Sequence, residues 1–226
     1  MKIELHRIKI RDVIKNYIDK ADQKSLAFTT FCFYLLYTIL FFLVEKLDLP
    51  AVWHIHSFFD DRIPFSKYAV LPYCFWHVEI PAVLLYELFH ADKKEFVRTA
   101  FTIWLSMSSA LLIFLLIPSE IHLRPETVYG NDIFAVGTRF IYMVDNSKNV
   151  CPSLHVTIAI LMNKAWLRCM DTKEKKVFFT VLNTIIILST LFLKQHSLID
   201  VFFGILYCFL IEKLSDHILR KLGFSF

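Results

Sequence analysis

"VFFTVLNTIIILSTLFLKQHSLIDVFFGILYCFLIEKL", residues 177–214, is two apolar runs joined by one polar hinge. Each run approaches the roughly 20 residues that a helix needs to cross a bilayer. The hinge puts Lys194, Gln195, His196 and Asp200 where burial of polar atoms is costly. Together these features predict a helical hairpin in a membrane, with chemistry gathered at its turn.

Working outward, four more apolar stretches precede this hairpin, at about 26–45, 69–89, 99–118 and 153–168. With 177–193 and 197–214 they make six. The chain is 226 residues long and 56% hydrophobic, with a mean hydropathy of +0.51, more apolar than a soluble domain needs. The expected fold class is therefore all-α: a polytopic membrane protein, a six-transmembrane-helix bundle. Residues 1–25 read as an amphipathic cytoplasmic helix on the membrane surface, with Ile3, Leu5, Ile8, Ile10, Val13, Ile14 and Ile18 as its apolar positions. Residues 26–226 form the membrane domain. No signal-peptide pattern is visible. The aromatic loop 46–68 is expected in the outer interface. The loop 118–152, with Pro118, Pro125, Gly130 and Gly137, is expected to be irregular.

Lys and Arg set the orientation. With the N-terminus in the cytoplasm, seventeen fall in cytoplasmic segments and seven in outer ones, with Lys164 inside the fourth span. This puts both termini in the cytoplasm and the loops 46–68, 118–152 and 194–196 on the extracytoplasmic face. The expected location is the cell membrane. Four glycines are too few for nucleotide-binding loops. Five cysteines without CxxC spacing give no zinc motif. Acidic neighbours at Glu4, Asp12, Asp19 and Asp22 make the basic N-terminus a poor nucleic-acid site, so no nucleic-acid partner is expected.

Three stretches on the outer face carry chemistry: "HLRPE" with Arg124, "CPSLHV" with Ser153 and His155, and "STLFLKQHSLID" with Ser189, Lys194, His196 and Asp200. His196 and Asp200, four apart, share a helix face. Asp200 then accepts from His196 Nδ1–H, which leaves Nε2 as a nucleophile. Pro152 and Ser153 start a helix whose N–H groups suit an anion, and His155 faces the same anion as an acid. Arg124 and Lys194 supply positive charge. Such a set suits phosphoryl transfer, which asks mainly for positioning and charge neutralisation.

On these residues the chain resembles the type-2 phosphatidic acid phosphatase superfamily. The family pattern runs Lys, six residues, Arg-Pro; then Pro-Ser-Gly-His; then Ser-Arg, five residues, His, three residues, Asp. Arg124–Pro125, Pro152–His155, Ser189, His196 and Asp200 match it in order. Leu154 replaces the glycine, Ile117 the lysine and Thr190 the arginine. The substitutions resemble the branch that includes inositol phosphorylceramide synthases. The resemblance implies a membrane lipid phosphatase acting on a phosphate monoester such as phosphatidic acid, phosphatidylglycerol phosphate or a polyprenyl phosphate. His196 would attack phosphorus to form a phosphohistidine, His155 would act as acid and base, and Arg124, Ser153, Lys194 and Ser189 would hold the phosphate. No metal or other cofactor is implied. Transfer to a lipid or polyol alcohol needs the same histidines. A transporter or scaffold is a third reading, weakened by the lack of a half-repeat. Asp145 and Glu79 are candidates for a lipid headgroup, although a bond between Glu79 and Asn183 is the stronger expectation.

Overall fold

The computed structural model describes residues 10–47 and 49–224. Among the described residues eight α-helices follow one another: α1 (Ile10–Lys20), α2 (Gln23–Glu45), α3 (Val70–His90), α4 (Lys93–Leu116), α5 (Ile133–Val144), α6 (Leu154–Cys169), α7 (Lys173–Phe192) and α8 (Leu198–Lys221). One small parallel pair, β1 (Trp53–His54) with β2 (Ser119–Glu120), joins the loops after α2 and α4. Among the described residues the protein is mostly helical, and several helices are able to span a bilayer. By length and composition these are α2, the stretch Lys67–His90, α4 and α7. The fourth and sixth expected segments are present as α6 and α8. They fall short of that measure because α6 has 16 residues, while α8 holds Asp200, Glu212, Lys213 and Asp216.

α6 is the centre of the bundle. It packs against α3, α4, α7 and α8, and its Val156, Ile158, Ala159, Met162 and Ala165 are fully buried. α2 lies outside, against α3 and α4, with Leu26 its buried residue and Phe28 and Phe31 well exposed. Between helices in lipid the hydrophobic effect gives little, so packing and interhelical hydrogen bonds hold the bundle. Tyr207 Oη meets Ser109 Oγ at 2.7 Å, and Thr102 meets Ser215 at 2.7 Å. Gly204 brings α8 hard against α6. A Cβ there would lie 2.8 Å from the Ser153 carbonyl. Thr157 Oγ1 donates to the Gly204 carbonyl at 2.9 Å across the same contact.

One expectation needs correction. The loop 118–152 is not wholly irregular: α5 occupies Ile133–Val144. Asp132 caps it by accepting from the N–H groups of Phe134 and Ala135, and Gly137 sits within the helix, facing Val70. At the N-terminus, α1 covers Ile10–Lys20, while Ile3, Leu5 and Ile8 lie outside the described residues. Ile18 packs against the buried cluster that includes Ala21, Leu26, Leu88 and Leu219, whereas Val13 and Ile14 are exposed.

Candidate functional site

The turn between α7 and α8 is built by the backbone before any side chain acts. Lys194 adopts φ of +58°, the left-handed conformation that commonly ends a helix. Its N–H donates to Leu191, and the N–H groups of Gln195 and His196 both donate to the Thr190 carbonyl. The chain therefore reverses within a few residues and turns Gln195 and His196 inward. Ser197 caps α8 by accepting from the Ile199 N–H. One turn into α8, Asp200 Oδ2 accepts from His196 Nδ1 at 2.9 Å, as the four-residue spacing predicts. Asp200 is fully buried. The bond occupies Nδ1 and leaves Nε2 as the imidazole's outward nitrogen.

His155 arrives from the first turn of α6. Its ring stacks on Tyr73 at 4.2 Å and lies 4.4 Å from Trp76, both on α3. Its Nε2 is buried and, among the described residues, has no hydrogen-bond partner. The ring centres of His155 and His196 are 5.8 Å apart. Both line a cavity of about 190 Å³, walled by Tyr37, Phe41, Trp76, Met107 and Phe114 and by the polar groups of Asp145, Asn146, Lys148, Asn149 and Gln195. At ~30 Å³ for a water molecule in the liquid, that volume has room for a tetrahedral anion and the first atoms of its ester.

The remaining expected residues divide. Asp145, at the end of α5, lines the cavity and accepts from Tyr73 Oη at 2.6 Å and from Gln195 Nε2 at 3.4 Å. Arg124 stands behind that wall. It donates to the carbonyls of Tyr142, Asp145 and Asn146 and to Gln195 Oε1, with its guanidinium over the Tyr142 ring. Burial pushes it below its ordinary pKa.

Ser153 caps α6, its Oγ accepting from Val156, and its own N–H is not free for an anion because it donates to the Asp200 carbonyl at 3.3 Å. Lys194 turns away from the cavity: Nζ donates to the Asp60 carbonyl at 2.6 Å, and burial lowers its pKa. Ser189 donates to the Ile186 carbonyl within α7 at 2.6 Å. Glu79 is not a headgroup contact in this geometry. Asn183 Nδ2 donates to it at 2.8 Å and Trp166 Nε1 at 3.0 Å, deep in the bundle.

Sequence reading gave no site role to Gln195, Lys148 or Tyr73, all of which line the cavity. Gln195 and Lys148 lay beside residues already singled out, and that adjacency was the available signal. Tyr73 had none, since only folding brings α3 under His155.

A family model described as the PAP2 superfamily matches residues 39–213, a stretch that holds Arg124, His155, His196 and Asp200. No curated protein and no solved structure matches the chain. Members of that superfamily are phosphatases or related phosphotransferases. Matched over well more than half its length, the chain belongs to the PAP2 superfamily, the type-2 phosphatidic acid phosphatase superfamily.

Proposed function

We propose that the protein is a membrane lipid phosphatase that hydrolyses a phosphate monoester through a phosphohistidine, without a metal. The observation that carries this reading is the pair of imidazoles across one cavity, one held through Nδ1 by Asp200 and the other with an unpartnered Nε2. His196 Nε2 attacks phosphorus and the P–O bond to the lipid breaks. His155 gives its proton to the leaving oxygen. It then takes a proton from water, whose oxygen attacks phosphorus and breaks the P–N bond, releasing phosphate. Asp200 orients His196 and stabilises its cation. Lys148 supports the reading as a lining cation, and Arg124 fixes the Asp145–Asn146 turn and Gln195 that form one wall.

The reading includes six crossing helices, with α6 and α8 completing the four that are long and apolar enough alone. Both termini are cytoplasmic and the cavity opens to the extracytoplasmic leaflet of the cell membrane, as the Lys and Arg distribution favours. α1 then lies on the inner surface, where exposed Val13 and Ile14 meet lipid.

A second reading, headgroup transfer to an alcohol, is favoured by Ile117 and Thr190 at two family cation positions and by the Asp145 carboxylate in the wall. A dianionic monoester asks for more positive charge than a phosphodiester does. Asp145 can accept from a headgroup hydroxyl. The test is a panel of phosphatidic acid, phosphatidylglycerol phosphate, polyprenyl phosphate and a phosphodiester lipid in detergent, each with and without an added polyol alcohol and with and without EDTA. Phosphate release without added alcohol, unchanged by EDTA, supports hydrolysis. Turnover that requires a phosphodiester and an alcohol supports transfer. No turnover of either kind contradicts both.

A further inference from the structure

The β1–β2 pair builds a second cluster outside the cavity. Ile55 and Ile121 point inward, into a buried group with Val150 and Cys151. Alternation along extended chain then turns His54, Glu120 and His122 to the opposite face. The parallel register sets His54 beside Glu120, and His122 follows two residues later. His54 Nδ1 lies 2.7 Å and His122 Nε2 3.0 Å from the same oxygen, Glu120 Oε1. The two imidazoles stack with ring centres 6.2 Å apart. All three donor atoms fall within 4.8 Å of one another.

We infer that His54, Glu120 and His122 form a zinc-binding site. Two imidazoles and one carboxylate are a common zinc donor set, with a fourth position open to water. Metal–ligand bonds of about 2.0–2.2 Å place neighbouring donors ~3.3 Å apart in a tetrahedron, so small side-chain rotations suffice. The histidine side chains are 67% and 76% exposed. Hydrogen bonds to a carboxylate at such exposure contribute little to hold two rings together, whereas a shared cation would. Bound there, the ion clips the loop after α2 to the segment that leads into Arg124, four residues beyond Glu120. None of the three residues lines the cavity, so the inference stands apart from the proposed reaction.

The test is a titration of tag-free, EDTA-stripped protein in detergent with zinc, in competition with a chromophoric chelator. Wild type is expected to take up one equivalent. His54→Ala and His122→Ala should each weaken it by at least about tenfold, the low end of the loss on removing even an outer-shell partner. Both imidazoles are exposed, so these variants keep the inward isoleucines and the fold. X-ray absorption at the zinc edge should show only nitrogen and oxygen donors, with two imidazoles. No uptake by wild type, uptake unchanged in both variants, or sulfur in the coordination shell would each overturn the site.

Discussion

At its C-terminal end, α6 sets Lys164 against Glu212, and Arg168 against Glu95 at 2.9 Å and Glu87 at 3.4 Å. At its N-terminal end, the same helix sets His155 between aromatic rings and leaves Nε2 without a partner. Both ends place ionisable groups in an apolar bundle. The first answers each charge with an opposite one, which is what a buried charge needs if it is only structural. The second leaves a buried polar atom unpaired on a residue that lines the cavity. Among the described residues Glu87 and Glu95 also carry an oxygen without a hydrogen bond, but on carboxylates that already face Arg168. His155 has its unpaired nitrogen on a ring that lines the cavity, so cavity and unpaired atom together separate site from scaffold within one helix.

The comparison breaks most sharply at His196. His196→Ala should lower turnover by ~10⁴-fold or more, as removal of a nucleophile does, and it should also cost stability because it leaves the fully buried Asp200 carboxylate without its imidazole partner. His155→Ala should cost roughly 10²–10⁴ in turnover, the range for a general acid–base. If the two ends differ as argued, Arg168→Ala should cost stability while sparing turnover. It leaves the fully buried Glu87 without its cation and should cost about 3 kcal/mol, the lower end for a broken buried pair because Arg168 is a third exposed. Its remaining activity, measured below the melting transition, should stay within a few-fold of wild type.

Gly204→Ala should blur the contrast. The added methyl meets the Ser153 carbonyl and pushes α8 from α6, which should cost about 1–3 kcal/mol and lower turnover together. Chemical denaturation and initial rates on one preparation check both effects. The smallest effect is expected at Cys151. It adjoins the site, but burial pushes its thiol up to about 12, so iodoacetamide at pH 8 should leave it unlabelled and turnover intact.

Much of the fold was legible because hydrophobic runs report helices directly. The ends of α2, α3 and α7 fall within a few residues of their expected limits. α5 was not legible as a helix, because Gly137 reads as a loop residue until it is seen facing Val70. In the site, the His196–Asp200 bond was expected from a four-residue spacing on one helix, and it forms with His196 just ahead of the Ser197 cap rather than within α8. The direction of Lys194 did not, since its left-handed backbone and the distant Asp60 carbonyl set it. Tyr73 and the His54–Glu120–His122 cluster were hidden for a common reason: their partners are brought from far along the chain by packing, and no local pattern marks them.

The central claim is tested most directly by acid-free quenching of the protein during turnover of a ³²P-labelled lipid phosphate, followed by mapping of the label. A covalent phosphate on the peptide that holds His196, stable to base, lost in acid and absent from His196→Ala, is the predicted result. Label on another residue, or full turnover by His196→Ala, would contradict the account.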